Sequence, residues 1–273
     1  MKTFLTCIAF VLLFTFSSCQ KENDIEVENP TIGLVKLGET YAVGAATKLE
    51  LWSSTVLATG HNKMYLRAYD SLTNKLLNKS LFKIKPLMMM KMDDHHMSHA
   101  APSENPISSI SEDGLFPVSV VFTMPSSGDT NTWKLEVETQ KEEGSIFGKA
   151  SFPLTVIQSN PSKVKTFKST NGANYIISYL ASAKPKVGNN EIEFVVFNRL
   201  DMMNFPPIED FAIQMTPEMP SMGHGSPNNI NPVHIGRGHY KGVVNFTMTG
   251  EWEINLSLTR NGESVSTSFN INL

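Results

Sequence analysis

The chain is predicted to be all-β, built as two tandem immunoglobulin-like β-sandwich domains behind an apolar leader and a polar tether. Three observations predict this. Short runs of alternating apolar and polar residues recur with turn residues between them. No long stretch carries apolar residues at helical spacing. Two halves of the chain also repeat one another in order.

The leader comes first. Lys2 supplies a short positive start, and Phe4 to Phe16 form a nearly unbroken apolar run. That run is shorter than the ~20 residues a spanning helix needs, so it reads as a cleaved export signal. It ends Phe16-Ser17-Ser18-Cys19. Small residues just before a cysteine resemble the lipobox of bacterial lipoproteins. The resemblance implies cleavage of residues 1–18, lipidation of Cys19 and anchoring to a membrane. The chain has two cysteines, Cys7 and Cys19. The mature protein is therefore expected to lack a free thiol and a disulfide, and to be held by its core alone.

Residues 19–39 are expected to be a flexible tether. QKENDIEVENP is polar, acidic and free of aromatics. An acidic run behind a lipidated cysteine resembles the surface-export signal of some Bacteroidota lipoproteins. It implies an outer-membrane lipoprotein on the periplasmic or cell-surface face.

About 250 residues remain, enough for two domains. The net charge is −3 and no basic stripe appears, so nucleic acid is not an expected partner. Inward-facing sets are predicted at Leu49 and Leu51, at Met64, Leu66 and Ala68, and at Trp133, Leu135 and Val137. Later sets are Ile192, Phe194 and Val196, then Trp252, Ile254, Leu256 and Leu258.

The halves match as follows. FKIKP lies over FAIQM. Met97-Ser98-His99-Ala100-Ala101-Pro102 lies over Met222-Gly223-His224-Gly225-Ser226-Pro227. Phe122-Thr123-Met124 lies over Phe246-Thr247-Met248, and Trp133 over Trp252. A period near 120 residues signals duplicated domains. Domain one is placed at 40–157, a Ser/Lys/Pro-rich linker at 158–171, and domain two at 172–273.

Between the repeated strands lie two segments rich in Met and His. The first is MMMKMDDHHMSH, residues 88–99; the second runs through MPSMGHG, residues 219–225. Six of the seven histidines fall in or near these two regions, with His61 alone outside. A thioether is a soft, uncharged donor that suits Cu(I), and imidazole accepts Cu(I) and Cu(II) alike. Structural zinc sites usually use cysteine. The expected metal is therefore copper, more readily Cu(I) than Cu(II). Asp93 and Asp94 either assist a Cu(II) state or keep the segment soluble.

Both segments are expected to be loops. Met219, Met222 and His224 share one bend, and Met248 on the returning strand can complete the set. The same logic in domain one selects Met92, Met97, His99 and Met124, with His95 and His96 beside them. His239 is a further candidate. Each has a plainer alternative. Met124 and Met248 extend inward alternations and can be core fillers. Trp133 and Trp252 read as sandwich cores, His61 as a surface turn residue, and His234 and His239 as solvent-exposed.

Met219-Pro220-Ser221-Met222-Gly223-His224-Gly225, then Gly238-His239-Tyr240, Phe246-Thr247-Met248 and Gly250-Glu251-Trp252, together resemble the YtkA-like/FixH-like domain. The resemblance implies a small exported β-sandwich associated with copper handling. It implies Met219, Met222, His224 and Met248 as ligand positions. Domain one keeps Phe-Thr-Met and the tryptophan but lacks the glycines of the MPxMGHG segment, so its ligand set stays open.

The expected function is copper buffering, delivery or resistance, with a copper donor or acceptor protein as partner. No nucleophile–base pair, paired carboxylate cleft or phosphate loop is visible, so no enzyme activity is expected. The alternative is a non-catalytic Ig-like surface lipoprotein whose Met-rich loops bind a protein or glycan.

Overall fold

A computed structural model describes residues 30–92, 95–180 and 184–273. The apolar leader, Cys19 and most of the tether lie outside the described residues. No helix among those described is long and apolar enough to cross a membrane.

The described chain is all-β. The first half holds β1 (Val35–Ala42), β2 (Thr47–Ser53), β3 (Gly60–Asp70), β4 (Leu81–Met92), β5 (His95–Ala100), β6 (Ser103–Glu104), β7 (Phe116–Phe122), β8 (Asn131–Gln140) and β9 (Gly148–Leu154). The second holds β10 (Val164–Lys168), β11 (Asn174–Leu180), β12 (Gly188–Asn198), β13 (Ala212–Met219), β14 (His224–Gly225), β15 (Ile230–Gly236), β16 (His239–Phe246), β17 (Glu251–Arg260) and β18 (Glu263–Asn272).

Each half folds into two antiparallel sheets that share one core. The first pairs a sheet of order β1-β2-β3-β7-β6 with one of order β5-β4-β8-β9. The second pairs β10-β11-β12-β16-β15 with β14-β13-β17-β18. The two orders are the same with every label advanced by nine. The repeat read from the sequence is thus a repeat of strand topology.

Alternation builds each core. Leu49, Leu51, Met64, Leu66, Ala68, Trp133, Leu135 and Val137 are buried together in the first. Ile192, Phe194, Val196, Trp252, Ile254, Leu256 and Leu258 are buried together in the second. Two stretches break the alternation. Val120-Val121-Phe122 in β7 and Val195-Val196-Phe197 in β12 are buried on both faces. A continuous apolar run in a strand means two covered faces. Here the second cover is the other sandwich: Val121 packs with Val164, Ile176, Val195 and Phe197 in a small core between the halves.

The boundaries differ from those predicted. The first sandwich starts at Val35 rather than residue 40, and β10 lies inside the expected linker. VKTFK is an edge strand that carries two lysines, one on each face, and charge on an edge strand is a common way of blunting it. That composition reads as a linker. The pairing of FKIKP with FAIQM is also two residues out. Ile84 faces Val137 and Met88 faces Trp133, while Met215 faces Leu256 and Glu218 faces Glu253, one residue before Trp252. Met88 is therefore the counterpart of Met219. A two-residue slip keeps every side chain on its face, so the hydrophobic pattern does not reveal it.

Candidate metal centre

The segment 88–99 is a β-hairpin, not a loop. β4 runs on to Met92 and returns as β5, with Met88 opposite His99, Met90 opposite Met97, Lys91 opposite His96 and Met92 opposite His95. Directly opposed residues share a face. Met88, Met90, Met97, His95 and His99 therefore lie on the core-side face, and the Met92 position falls in the same row. His96 lies on the other face with Lys91, Met89 and Ser98, so it does not join the predicted set. Asp93 and Asp94 lie outside the described residues, as does the side chain of Met92.

The inner end of this row is a tight cluster. Met88 is fully buried, and it faces His99 on one side and Trp133 on the other. The His99 and Trp133 rings meet edge to face with centroids 5.6 Å apart. Trp133 Nε1 donates to the Met124 carbonyl at 3.0 Å, which pins the Phe122-Thr123-Met124 turn against the same spot. Met90 and Met124 are partly buried against the core. Met97 and the exposed His95 and His96 stand further out.

The second sandwich repeats this cluster. Met219 faces His224 and is 2% exposed. The His224 and Trp252 rings meet at 5.8 Å, and Trp252 Nε1 donates to the Met248 carbonyl at 3.1 Å. Met248 packs partly buried on the core. Here the hairpin is short. Met222 and Gly223 both donate to the Met219 carbonyl, and Gly223 takes the left-handed φ of +63° that favours glycine. Met222 rides on this turn, 60% exposed. Gly250 makes room for Met219, because a β-carbon there would meet the Met219 methyl at 3.0 Å.

The histidine hydrogen bonds carry the chemistry. Nδ1 of His99 lies 2.9 Å from the Ala100 carbonyl, and Nδ1 of His224 lies 2.9 Å from the Gly225 carbonyl. A carbonyl can only accept, so Nδ1 carries the proton in both. In the neutral ring this leaves Nε2 with a free lone pair. Metal-binding histidines use the same device, donating the other ring N–H to a backbone carbonyl. His99 is 8% exposed, and its Nε2 is buried without a partner. Among the described residues only one other side-chain polar atom, Nε of Arg67, is in that state. An unpaired buried polar atom costs about 1–3 kcal/mol. A soft metal beside the Met88 thioether would relieve that cost.

The residues present therefore fit copper. Met88, His99 and Met124 would hold it in the first sandwich, and Met219, His224 and Met248 in the second. Among the described residues no three His, Cys, Asp or Glu side chains gather as a metal site. The donor sets are thus thioethers with a single imidazole each, the combination that suits Cu(I).

His239 lies elsewhere. It opens β16, and Phe246, beside the cluster, closes it; the strand rise separates them by about 23 Å. His239 instead sits between two carboxylates. Its Nδ1 is 2.6 Å from Glu193 and its Nε2 3.2 Å from Glu104, which belongs to the first sandwich. Burial would lower its pKa, but the hydrogen bonds to Glu104 and Glu193 outweigh burial and raise it to about 9. With both nitrogens engaged it is an imidazolium and no ligand. Nor is His61 a surface turn residue. It lies in β3, largely buried, with Nε2 3.8 Å from Glu104.

Met88 is the candidate ligand that sequence reading missed. Its signal was the tryptophan repeat: counting back from Trp133 and Trp252 along paired strands reaches Met88 and Met219.

Residues 172–257 match the YtkA-like family model. No curated protein sequence matches the chain. Among solved structures it is similar to the FdeC adhesin of Escherichia coli, at 15% identity over 85% of this chain and 65% of that one, with a TM-score of 0.27. It is similar to InvD of Yersinia pseudotuberculosis at 12% identity over 89% and 58%, with a TM-score of 0.25. A tandem immunoglobulin pair of titin gives 9% identity over 80% and 90%, with a TM-score of 0.18. The chain spans less than two thirds of the length of either bacterial structure. The stretch that matches the YtkA-like model, residues 172–257, holds Met219, Met222, His224, Met248 and Trp252.

Proposed function

We propose that this chain is an exported lipoprotein, anchored through Cys19 at the outer membrane, that binds Cu(I) in one thioether–imidazole site per sandwich. Its role is copper buffering, delivery or resistance, exchanging the metal with a donor or acceptor protein. It acts as a binder and not as an enzyme. The observation that carries this reading is the buried, unpartnered Nε2 of His99 beside Met88; His224, half-buried, stands opposite Met219 with its Nδ1 on a carbonyl in the same way.

The exposure of Met222 and Met97 fits exchange, since a second protein can reach those sulfurs. The same exposure supports the second reading, a Met-rich hairpin surface that binds a protein or glycan.

The test is an anaerobic Cu(I) competition titration on residues 20–273, with tryptophan emission as a second readout, since a tryptophan lies in each cluster. The expected result is about two equivalents bound tightly, one lost in His99→Ala and the other in His224→Ala. Binding no tighter than that of short Met/His peptides would sink the copper reading and leave the recognition surface.

A further inference from the structure

We propose that the second sandwich positions the first sandwich's Met/His pair, through a strap of residues 100–104 that the chain Glu193–His239–Glu104–His61 latches in place. This rests on the copper reading above and goes beyond it, because it makes the first site depend on how the two domains are joined.

The strap begins at the ligand. The Ala100 carbonyl takes the Nδ1 proton of His99 and so aims Nε2. The N–H of the same residue donates at 2.8 Å to the carbonyl of Met202, in the second sandwich. The residue that orients the imidazole is therefore itself gripped by the other domain. Further on, Val121 N–H holds the Pro102 carbonyl at 2.9 Å. Next comes β6, which carries Glu104.

Glu104 is the bolt. Oε1 meets Nε2 of His239 at 3.2 Å and the Arg237 guanidinium at 3.4 Å. Oε2 meets the Ser119 hydroxyl and, at 3.8 Å, Nε2 of His61. Arg237 also donates to the Asn105 carbonyl at 3.3 Å. Glu193 holds the far side of His239, and Lys241, paired with Glu191, adds positive charge near Glu193. Two carboxylates, one imidazolium, one guanidinium and one further imidazole thus meet at the boundary, and the pairs from Glu104 to His239 and Arg237 cross it. The backbone of His61 adds to the joint by donating to Ser178 of the second sandwich at 2.9 Å.

Among the described residues the second site shows no such tie to the other sandwich. The segment after His224 is tied within its own domain. Ser226 donates to the Asn245 carbonyl, and Asn245 N–H donates to Asn229 at 2.9 Å. Breaking the latch should therefore weaken one site and spare the other.

The experiment uses the whole mature chain, residues 20–273, in wild type, Glu104→Gln, His239→Gln and the gentler Arg237→Gln. Cu(I) competition reads each site's affinity. Spin labels on Leu72→Cys and Thr259→Cys read the distance between the domains without copper. The expected result is a broadened distance distribution and at least a tenfold loss at the first site, with the second unchanged as an internal check of folding. Arg237→Gln should shift both readouts the same way by less. A broadened distribution with the first site intact would overturn the positioning role. A distribution unchanged in all three variants would overturn the latch. A wild-type chain that takes no Cu(I) would defeat the copper reading, and the positioning of a site with it; the distances then judge the latch alone.

Discussion

The hairpins β4–β5 and β13–β14 occupy the same place in two sandwiches of the same strand order, yet they end differently. Both start from a buried methionine opposite a histidine that leans on a tryptophan. The second closes at once, in a turn that Gly223 permits, and presents one exposed sulfur, Met222. The first runs on for two more residue pairs on its core-side face, adding Met90, still partly buried against the core, and then the exposed Met97 and His95. The difference separates the residues common to both hairpins from those that only one adds. What both halves keep is Met, His, Trp and the Phe-Thr-Met turn. What only one half has is the outer ladder.

The largest expected effect breaks the comparison at its shared base. Trp133→Ala and Trp252→Ala each remove a fully buried ring and the donor that pins a methionine carbonyl. Each should cost about 3–5 kcal/mol, seen as a lower urea midpoint. Similar losses are expected in both halves, because the two rings hold equivalent posts. A loss confined to one half would show that the halves are not equivalent in packing.

A smaller effect sharpens the comparison at the ligand. Met88→Leu and Met219→Leu keep volume and remove sulfur, so stability should change by less than about 1.5 kcal/mol. Cu(I) affinity should fall at least tenfold at the altered site, about 1.4 kcal/mol. Met92→Leu should do less, since position 92 lies at the hairpin's outer end, four residues beyond the cluster. Equal effects of Met88→Leu and Met92→Leu would mean that the ladder, not its inner end, is the site.

The smallest effect concerns the joint. The His239 pKa is raised from 6.5 to about 9 by Glu104 and Glu193 against burial. Its stabilisation is therefore complete below about 6.5, fades as pH rises and is lost above about 9. The urea midpoint of the wild type should fall across that window, and His239→Gln should flatten the fall. The acid side is safe for longer. Burial would raise the Glu104 carboxyl, but hydrogen bonds from His239, His61 and Ser119 outweigh it and hold it well below the usual carboxylate range. An identical pH profile in the variant would remove His239 from the joint.

Much of this molecule was legible in order along the chain. Alternation named the inward faces, because a strand's period of two is a property of the backbone. The repeat of Phe-Thr-Met and tryptophan announced two equivalent domains, and the soft residues announced where to look for a metal. What alternation could not convey was register. A slip of two residues leaves every face unchanged, so Met88 and Met92 looked alike until strand pairing set Met88 against His99 and Trp133. The hairpin itself was mistaken for a loop because its residues are poor in β-branched and aromatic types, and tertiary packing of Met88 and His99 overrides that preference. The joint between the domains was hidden for another reason. Its members, His61, Glu104, Glu193 and His239, are scattered through the chain and look like surface residues one at a time. Their roles come from charges meeting across the domain boundary. Sequence by itself thus determined two sandwiches and the place of their Met/His-rich segments, since both follow from local pattern and residue type. Only the tertiary structure decided which methionine faces which histidine and which histidine sits between carboxylates instead. Those depend on distances between strands far apart in the chain.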